Sequence, residues 1–249
     1  LSRKIWLQNL GLLPYNCGLC LVTLFFFVMD FLAGEILLVD KPLNWTSFDV
    51  VNKIRWNLKQ KLKVKNIKVG HAGTLDPLAT GLLILCTGKN TKLIEGLTGA
   101  AKTYTGKFLL GKTTASYDLE TPYSATFQTE HITEELLEEV RLSFLGIQLQ
   151  TPPIYSAKQI DGKRAYDYAR EGKAVEMKQN QIEIESFSID TKDFPEISVA
   201  IKCSKGTYIR SIAYDFGKKL DSGATLIELR RTHSGDFSIE NAKTVDARG

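Results

Sequence analysis

The chain has 249 residues, 43% of them hydrophobic and 24% charged, which is enough apolar material for one large buried core and argues against a disordered or collagen-like polymer. Its formal net charge of +4 is too small to name a partner by itself. Four cysteines, Cys17, Cys20, Cys86 and Cys203, lack the even spacing of a disulfide framework and are expected to be reduced thiols of a cytoplasmic protein, and the lone Cys17/Cys20 pair in apolar surroundings makes a poor metal site.

Leu10 to Val28 carry no charge, and Arg3 and Lys4 precede them, the pattern of a signal peptide or membrane anchor. Pro14, Asn16 and Gly18 interrupt that run, and Met29 opens "MDFLAGEILLVDKP" in the manner of a natural start. The expected division is therefore an upstream extension over 1–28 and one folded domain over 29–249.

"GEILLVDKP" reads as a buried strand stopped by Pro42. Thr46 or Ser47 then caps a helix to about Trp56, and Thr46 with Asp49 fits a capping box. No acidic residue lies between Val50 and Leu75, whereas Lys53, Arg55, Lys59, Lys61, Lys63, Lys65 and Lys68 do, so this segment is either a solvated lysine-rich surface or a field that attracts phosphates. "GLLILC" is a second core strand, and "KTYTGKFLLG" alternates like a third. Residues 112–131 are polar and rich in turn formers. "ITEELLEEVRLSFLG" is an amphipathic helix with Leu137, Val140 and Phe144 on one face. "TPPIYSAKQIDGKRAYDYAREG" gives a turn, a short strand, an Asp161–Gly162 turn and a helix ended by Gly172. "QIEIESFSID" and "EISVAIKCS" look like antiparallel partners joined across Asp193–Pro195, "GTYIRSIAYDFGKKL" is helical, and "ATLIELRRT" is a last core strand. The pattern is α+β with a mostly antiparallel mixed sheet flanked by helices and loops.

"GHAGTLDPLATG", residues 70–81, places one carboxylate, Asp76, between a leucine and a proline, with flexible residues around it. Leu-Asp-Pro is an ordinary turn. Against that, Gly70, Gly73 and Gly81 let backbone pass close to bulky groups, and a cationic segment precedes the loop. Asp76 has no neighbouring acid, unlike the carboxylate pairs of glycoside hydrolysis, and suits nucleophilic or electrostatic work at an electrophilic carbon.

"GHAGTLDPLATGLLILCTGKNTKL" resembles the catalytic segment of the TruB family of tRNA pseudouridine synthases. "KTYTGKF", "TPPIYSAKQIDGKRAYDYAREG", "CSKGTYIRSIAYDFGKKL" and "ATLIELRRTHSGDFSIENA" resemble that family's other blocks in the same order, over about residues 34–242. The resemblance implies a pseudouridine-synthase fold and isomerisation of a uridine in the T arm (T stem-loop) of tRNA, without cofactor, metal, membrane or obligate protein partner. It makes Asp76 the catalytic aspartate, which attacks the uridine or assists departure of uracil from the ribose. It makes His71 the residue that helps flip the base and Tyr104 the aromatic that stacks on it. Arg210 becomes the partner that forks onto Asp76, Tyr208 a pocket tyrosine and Leu229 an apolar wall. RNA contact falls to Lys102, Lys158, Lys163, Arg164, Arg230 and Arg231, and the stretch Tyr155 to Lys158 joins the pocket wall. The chain ends soon after the last block, leaving no room for the C-terminal PUA domain of many members. Two rivals remain: a non-catalytic RNA-binding module, in which Asp76 is a turn residue, and a guide-RNA-dependent synthase, which requires a PUA domain and protein partners.

Overall fold

A computed structural model describes residues 30–245 except 157, 161 and 172–176, together with the backbone but not the side chains of 159, 160, 163, 164, 169 and 170. The extension over 1–28, the Cys17/Cys20 pair, Asp161 and Gly172 therefore lie outside the described residues.

In chain order the elements are β1 (Ile36–Lys41), α1 (Ser47–Leu62), β2 (Val69–Ala72), β3 (Ala79–Thr87), α2 (Ile94–Thr98), β4 (Lys102–Leu110), β5 (Lys112–Thr114), β6 (Tyr123–Thr126), α3 (Glu134–Leu142) and β7 (Gly146–Gln150). There follow β8 (Gln159–Ile160), β9 (Lys163–Arg164), α4 (Ala165–Arg170), β10 (Asn180–Asp190), β11 (Glu196–Cys203), α5 (Ile209–Lys219), β12 (Ala224–Ser234), β13 (Phe237–Ser238) and β14 (Lys243–Thr244). The main sheet runs β14-β1-β3-β12-β4-β11-β10-β7, with β2 added on β3 and β13 on β12. Its pairings are antiparallel except β1 with β14 and β3 with β12.

β3 is buried along both faces, from Leu82 to Cys86. Leu83 and Leu85 pack beneath α1 with Val50, Val51 and Leu58, while Leu82 and Ile84 pack with Ala72 on the other side. A continuous apolar run rather than alternation follows from that double cover. A larger core lies across β4, β10, β11 and β12, where Phe108, Phe144, Phe187 and Phe216 meet under α3 and α5.

The α1 capping box forms as expected: the Asp49 amide donates to Thr46 Oγ1 at 3.0 Å, and the Thr46 amide donates to Asp49 Oδ2 at 2.8 Å. The helix runs past Trp56 to Leu62, because the lysine-rich continuation contains good helix formers and no breaker until Lys63 turns left-handed at φ 54°. Other boundaries also shift. The expected helix over 132–146 is shorter, and Gly146 opens β7, an extra strand on the sheet edge. The 112–131 segment folds β5 onto β6. α5 starts at Ile209, not at Gly206, because Tyr208 is an extended residue at its N-cap.

Candidate active site

The Asp76 loop joins β2 to β3 and is held from three directions. Ser47, the first residue of α1, donates through Oγ to the Leu75 carbonyl at 3.1 Å and accepts from the Leu75 amide at 2.8 Å. Lys41, fully buried at the end of β1, donates to the Pro77 carbonyl at 3.3 Å as well as to those of Pro42 and Trp45. Burial lowers the Lys41 pKa to about 8, and the Asp76 charge partly offsets that effect. From the far side Arg231 donates to the carbonyl of Gly73 at 3.0 Å and to that of Leu82 at 2.7 Å. The loop closes at Gly81, whose φ is +104° and whose missing Cβ would stand 2.3 Å from the Arg231 carbonyl oxygen. Only glycine permits β3 to take its parallel register against β12 there.

Arg210 reaches Asp76 from the first turn of α5. The start of that helix is fixed by Gln150, which accepts from the Tyr208 amide at 2.8 Å and donates to the Tyr208 carbonyl at 3.0 Å. The Arg210 side chain is 4% exposed, and its Nε lies 2.9 Å from Asp76 Oδ2, on a carboxylate that is 39% exposed. The sequence expectation was a two-point fork; the structure has a one-nitrogen ionic contact, in which Nε makes no aligned hydrogen bond. The reason is competition for the guanidinium. Nη1 donates to the carbonyls of Tyr155 at 2.8 Å and Ser116 at 3.3 Å. A second carboxylate, Asp118, stands 3.6 Å from Nε with its side chain 7% exposed. Asp118 is anchored by the Glu120 amide, which donates to Oδ1 at 3.0 Å, and by a backbone bridge to Leu226 on β12.

Between these parts opens a cleft of about 440 Å³. Asp76, Lys102, Tyr104, Lys158, Tyr208, Arg210, Leu229 and Arg231 all line it. These residues come from five segments of the chain. Burial raises the pKa of Tyr104, with Arg231 opposing, and burial likewise raises that of Tyr208, with a hydrogen bond to Ser156 opposing. Both are neutral phenols at physiological pH. His71 stands on β2, outside the cleft lining, half-buried and with no hydrogen-bond partner at Nδ1. Burial first, and Arg231 second, lower its pKa, so its ring is neutral. A larger concavity of about 660 Å³ is lined by Thr105, Lys107, Ser198 and Arg230 and does not contain Asp76.

Residues 59–209 match the model of the TruB family pseudouridylate synthase (N terminal domain). The chain belongs to the TruB family. It is 53% identical over 212 residues to tRNA pseudouridine synthase B of Parabacteroides distasonis, an alignment spanning 85% of this chain and 90% of that relative. With the protein of the same description from Flavobacterium johnsoniae it shares 53% identity over 214 residues, 86% of this chain and 93% of that one. Among solved structures it resembles a chain in a Cbf5-Nop10-Gar1 complex, with a TM-score of 0.64 and 27% identity, covering 86% of this chain and 53% of that one. The chain thus spans about half the length of that solved relative. The TruB pseudouridine-synthase fold and the mixed sheet expected from the sequence are both present.

The cations assigned to RNA stand differently from that expectation. Arg231 is buried and bonded to loop carbonyls, so in this TruB domain it braces the Asp76 loop. Lys102 is buried too, donates to the Thr98 and Ala100 carbonyls at 2.6 Å each, and has its pKa lowered to about 8 by burial and then by Arg231. Lys158 donates to the Lys178 carbonyl at 2.7 Å and to Asn180 Oδ1 at 2.9 Å. Arg230 makes the fork expected of Arg210, but onto Asp40, at 3.0 and 2.7 Å. The side chains of Lys163 and Arg164 lie outside the described residues; their backbone forms β9. Asp118 and Lys41 were not singled out from the sequence, and Ser47 was read there only as a possible helix cap. Asp118 sits in a polar segment without periodicity, whereas Lys41, before Pro42 at the end of an apolar strand, carried a signal: a charge at a position that should be buried. Among the described residues no helix is long and apolar enough to cross a membrane.

Proposed function

We propose that this TruB-family protein converts a uridine in the T arm of tRNA to pseudouridine, with Asp76 as the catalytic carboxylate. The observation that carries the reading is the half-exposed Asp76 at the mouth of a cleft, ion-paired to Arg210 and faced by two neutral phenols. The names of the relatives at 53% identity support tRNA as the substrate.

The reaction is an isomerisation, so nothing is added or lost overall. The bond between ribose C1′ and base N1 breaks, the base turns, and C1′ rejoins at C5; the C5 proton leaves and N1 gains one. A single carboxylate suffices to attack the uridine or to assist departure of the base. The Arg210 contact fixes the orientation of that carboxylate. Asp118, 7% exposed and 3.6 Å from the guanidinium, does not line the cleft. Tyr104 offers its ring to the extruded base, a contact worth ~1–3 kcal/mol, and Leu229 forms the apolar wall. Extruding a base costs a few kcal/mol, and the neutral His71 ring on β2, the strand that leads into the loop, would occupy the space left. Lys158, Arg230, Lys163 and Arg164 are proposed to meet phosphates at the rim, positioning the RNA without reading its sequence.

The test is incubation with an unmodified tRNA transcript followed by pseudouridine mapping. Conversion of one T-arm uridine is expected, with loss of the signal in a transcript carrying cytidine there. Conversion elsewhere, or none, refutes the assignment.

A further inference from the structure

α1 buries one face, through Val50, Val51 and Leu58, and leaves the other uncovered. On the uncovered face stand two large rings, Phe48 at 59% exposure and Trp56 at 51%. At 100° per residue they lie about 80° apart around the axis, and at ~1.5 Å per residue about 12 Å apart along it. Cations flank both: the Arg55 guanidinium is 6.0 Å from the centre of the Phe48 ring, and the Lys53 ammonium is 5.5 Å from the centre of the Trp56 ring. Lys59 and Lys63 continue the face. The acid on this helix, Asp49, is engaged with Thr46 in the cap. Exposed aromatics are costly to leave in water, and a face that alternates rings with cations has the composition of a surface that stacks bases and neutralises phosphates at once. The helix also starts at the catalytic loop, since its buried first residue, Ser47, holds the Leu75 backbone beside Asp76.

We infer that the outer face of α1 is a second RNA-binding surface, which stacks unpaired nucleotides of the tRNA outside the T arm on Phe48 and Trp56 while Lys53, Arg55, Lys59 and Lys63 neutralise their phosphates. The inference rests on the reading that the substrate is tRNA. Charge decides for RNA, because the stretch from Val50 to Leu75 carries seven cations and no acid, and adjacency to the catalytic loop places a bound tRNA against it. It extends the substrate contact well beyond a hairpin that fills the cleft alone.

The experiment compares binding and turnover of an unmodified full-length tRNA transcript with those of an isolated T-arm hairpin. Both altered side chains of the Phe48→Ala/Trp56→Ala double variant are exposed, so the fold is retained and the melting temperature serves as the control. This variant is expected to bind full-length tRNA at least ~10-fold more weakly, with an unchanged salt slope, because stacking releases no counterions. Its kcat and kcat/KM on the hairpin remain at the wild-type values. A Lys59→Glu/Lys63→Glu variant is expected to lower the log–log salt slope for full-length tRNA by about 1.4–1.8. Full-length affinity within about twofold of wild type in both variants overturns the inference, as does an equal loss on the hairpin. Loss of cosedimentation with phosphatidylglycerol vesicles alongside intact tRNA affinity overturns it too, and assigns the face to a membrane surface. Binding is read separately from turnover, so a wild-type protein that binds tRNA through this face yet converts no uridine refutes the proposed reaction alone.

Discussion

Arg210→Lys keeps a positive charge beside Asp76 and removes the rest of what the guanidinium does. In the structure that group touches Asp76 through Nε at 2.9 Å and Asp118 at 3.6 Å, while Nη1 holds the Tyr155 and Ser116 carbonyls. A lysine ammonium is a compact point charge and cannot occupy all four places. Leaving two buried carbonyls short of a donor costs about 1–3 kcal/mol each. For a domain of this size ~2–6 kcal/mol corresponds to a fall in melting temperature of roughly 5–20 °C. The activity loss is separate. A carboxylate free to move by about 1 Å forfeits roughly 10²-fold in rate, equivalent to ~2.7 kcal/mol of barrier. The assay is single-turnover pseudouridine formation with enzyme in excess of tRNA, well below the variant's melting midpoint. A single-turnover rate within about threefold of wild type, which is ~0.7 kcal/mol, refutes the positioning argument whatever happens to stability. If Asp118 acts only through this arginine, Asp118→Asn slows the wild type but adds nothing to Arg210→Lys.

Asp76→Asn is isosteric and removes the charge, so turnover should disappear while tRNA affinity by filter binding stays within about threefold; retention of a tenth of the rate excludes Asp76 from the chemistry. Gly81→Ala places a methyl 2.3 Å from the Arg231 carbonyl oxygen at a φ of +104°, and should open the β3–β12 register, lowering both the denaturation midpoint and the activity; a wild-type midpoint disproves the close-approach account. Lys102 has a folded pKa of about 8 against 10.5, so between those values the unfolded chain holds more protons and stability rises with pH, by up to about 3 kcal/mol from this group. Lys102→Met should flatten that alkaline rise in urea melts at pH 8 and 10; an unchanged rise assigns it to other groups.

The sequence laid out the sheet's principal strands and the Asp76 loop because each carries a local signal. "GLLILC" is apolar without a break, Thr46 and Asp49 are three apart, and glycines bracket the Asp-Pro turn. The interior of the site was harder to read. Arg230 and Arg231 are adjacent and chemically alike, yet one forks onto Asp40 at the surface and the other is buried beneath the loop. Strand alternation puts neighbours on opposite faces, but it does not say which face is wet when the strand lies mid-sheet. Lys102, expected at a phosphate, is likewise turned inward from its strand and bonded to two carbonyls. Asp118 was invisible because its partner is 92 positions away, and the two meet through long-range packing: the bridge from its turn to β12 and the stacking of Tyr117 on Tyr214 of α5.

β12 lies between β3 and β4, although it is the last long strand in the chain. Synthesis from the N-terminus therefore delivers the two strands that flank it long before the strand that separates them. Until residues 224–234 leave the ribosome, β4 has no partner on the edge that β12 takes and the start of β3, ahead of its pairing with β2, has none either, the Asp76 loop lacks the Arg231 brace, and the cleft has no Leu229 wall. Such late closure makes for slow, non-local folding, and the nascent chain leaves the β4 edge unpaired throughout that interval. A ribosome stalled ahead of Ala224 would hold a folded α1 cap and an open sheet, with no binding pocket for RNA. The Asp76 cleft is thus completed only when β12 docks between β3 and β4.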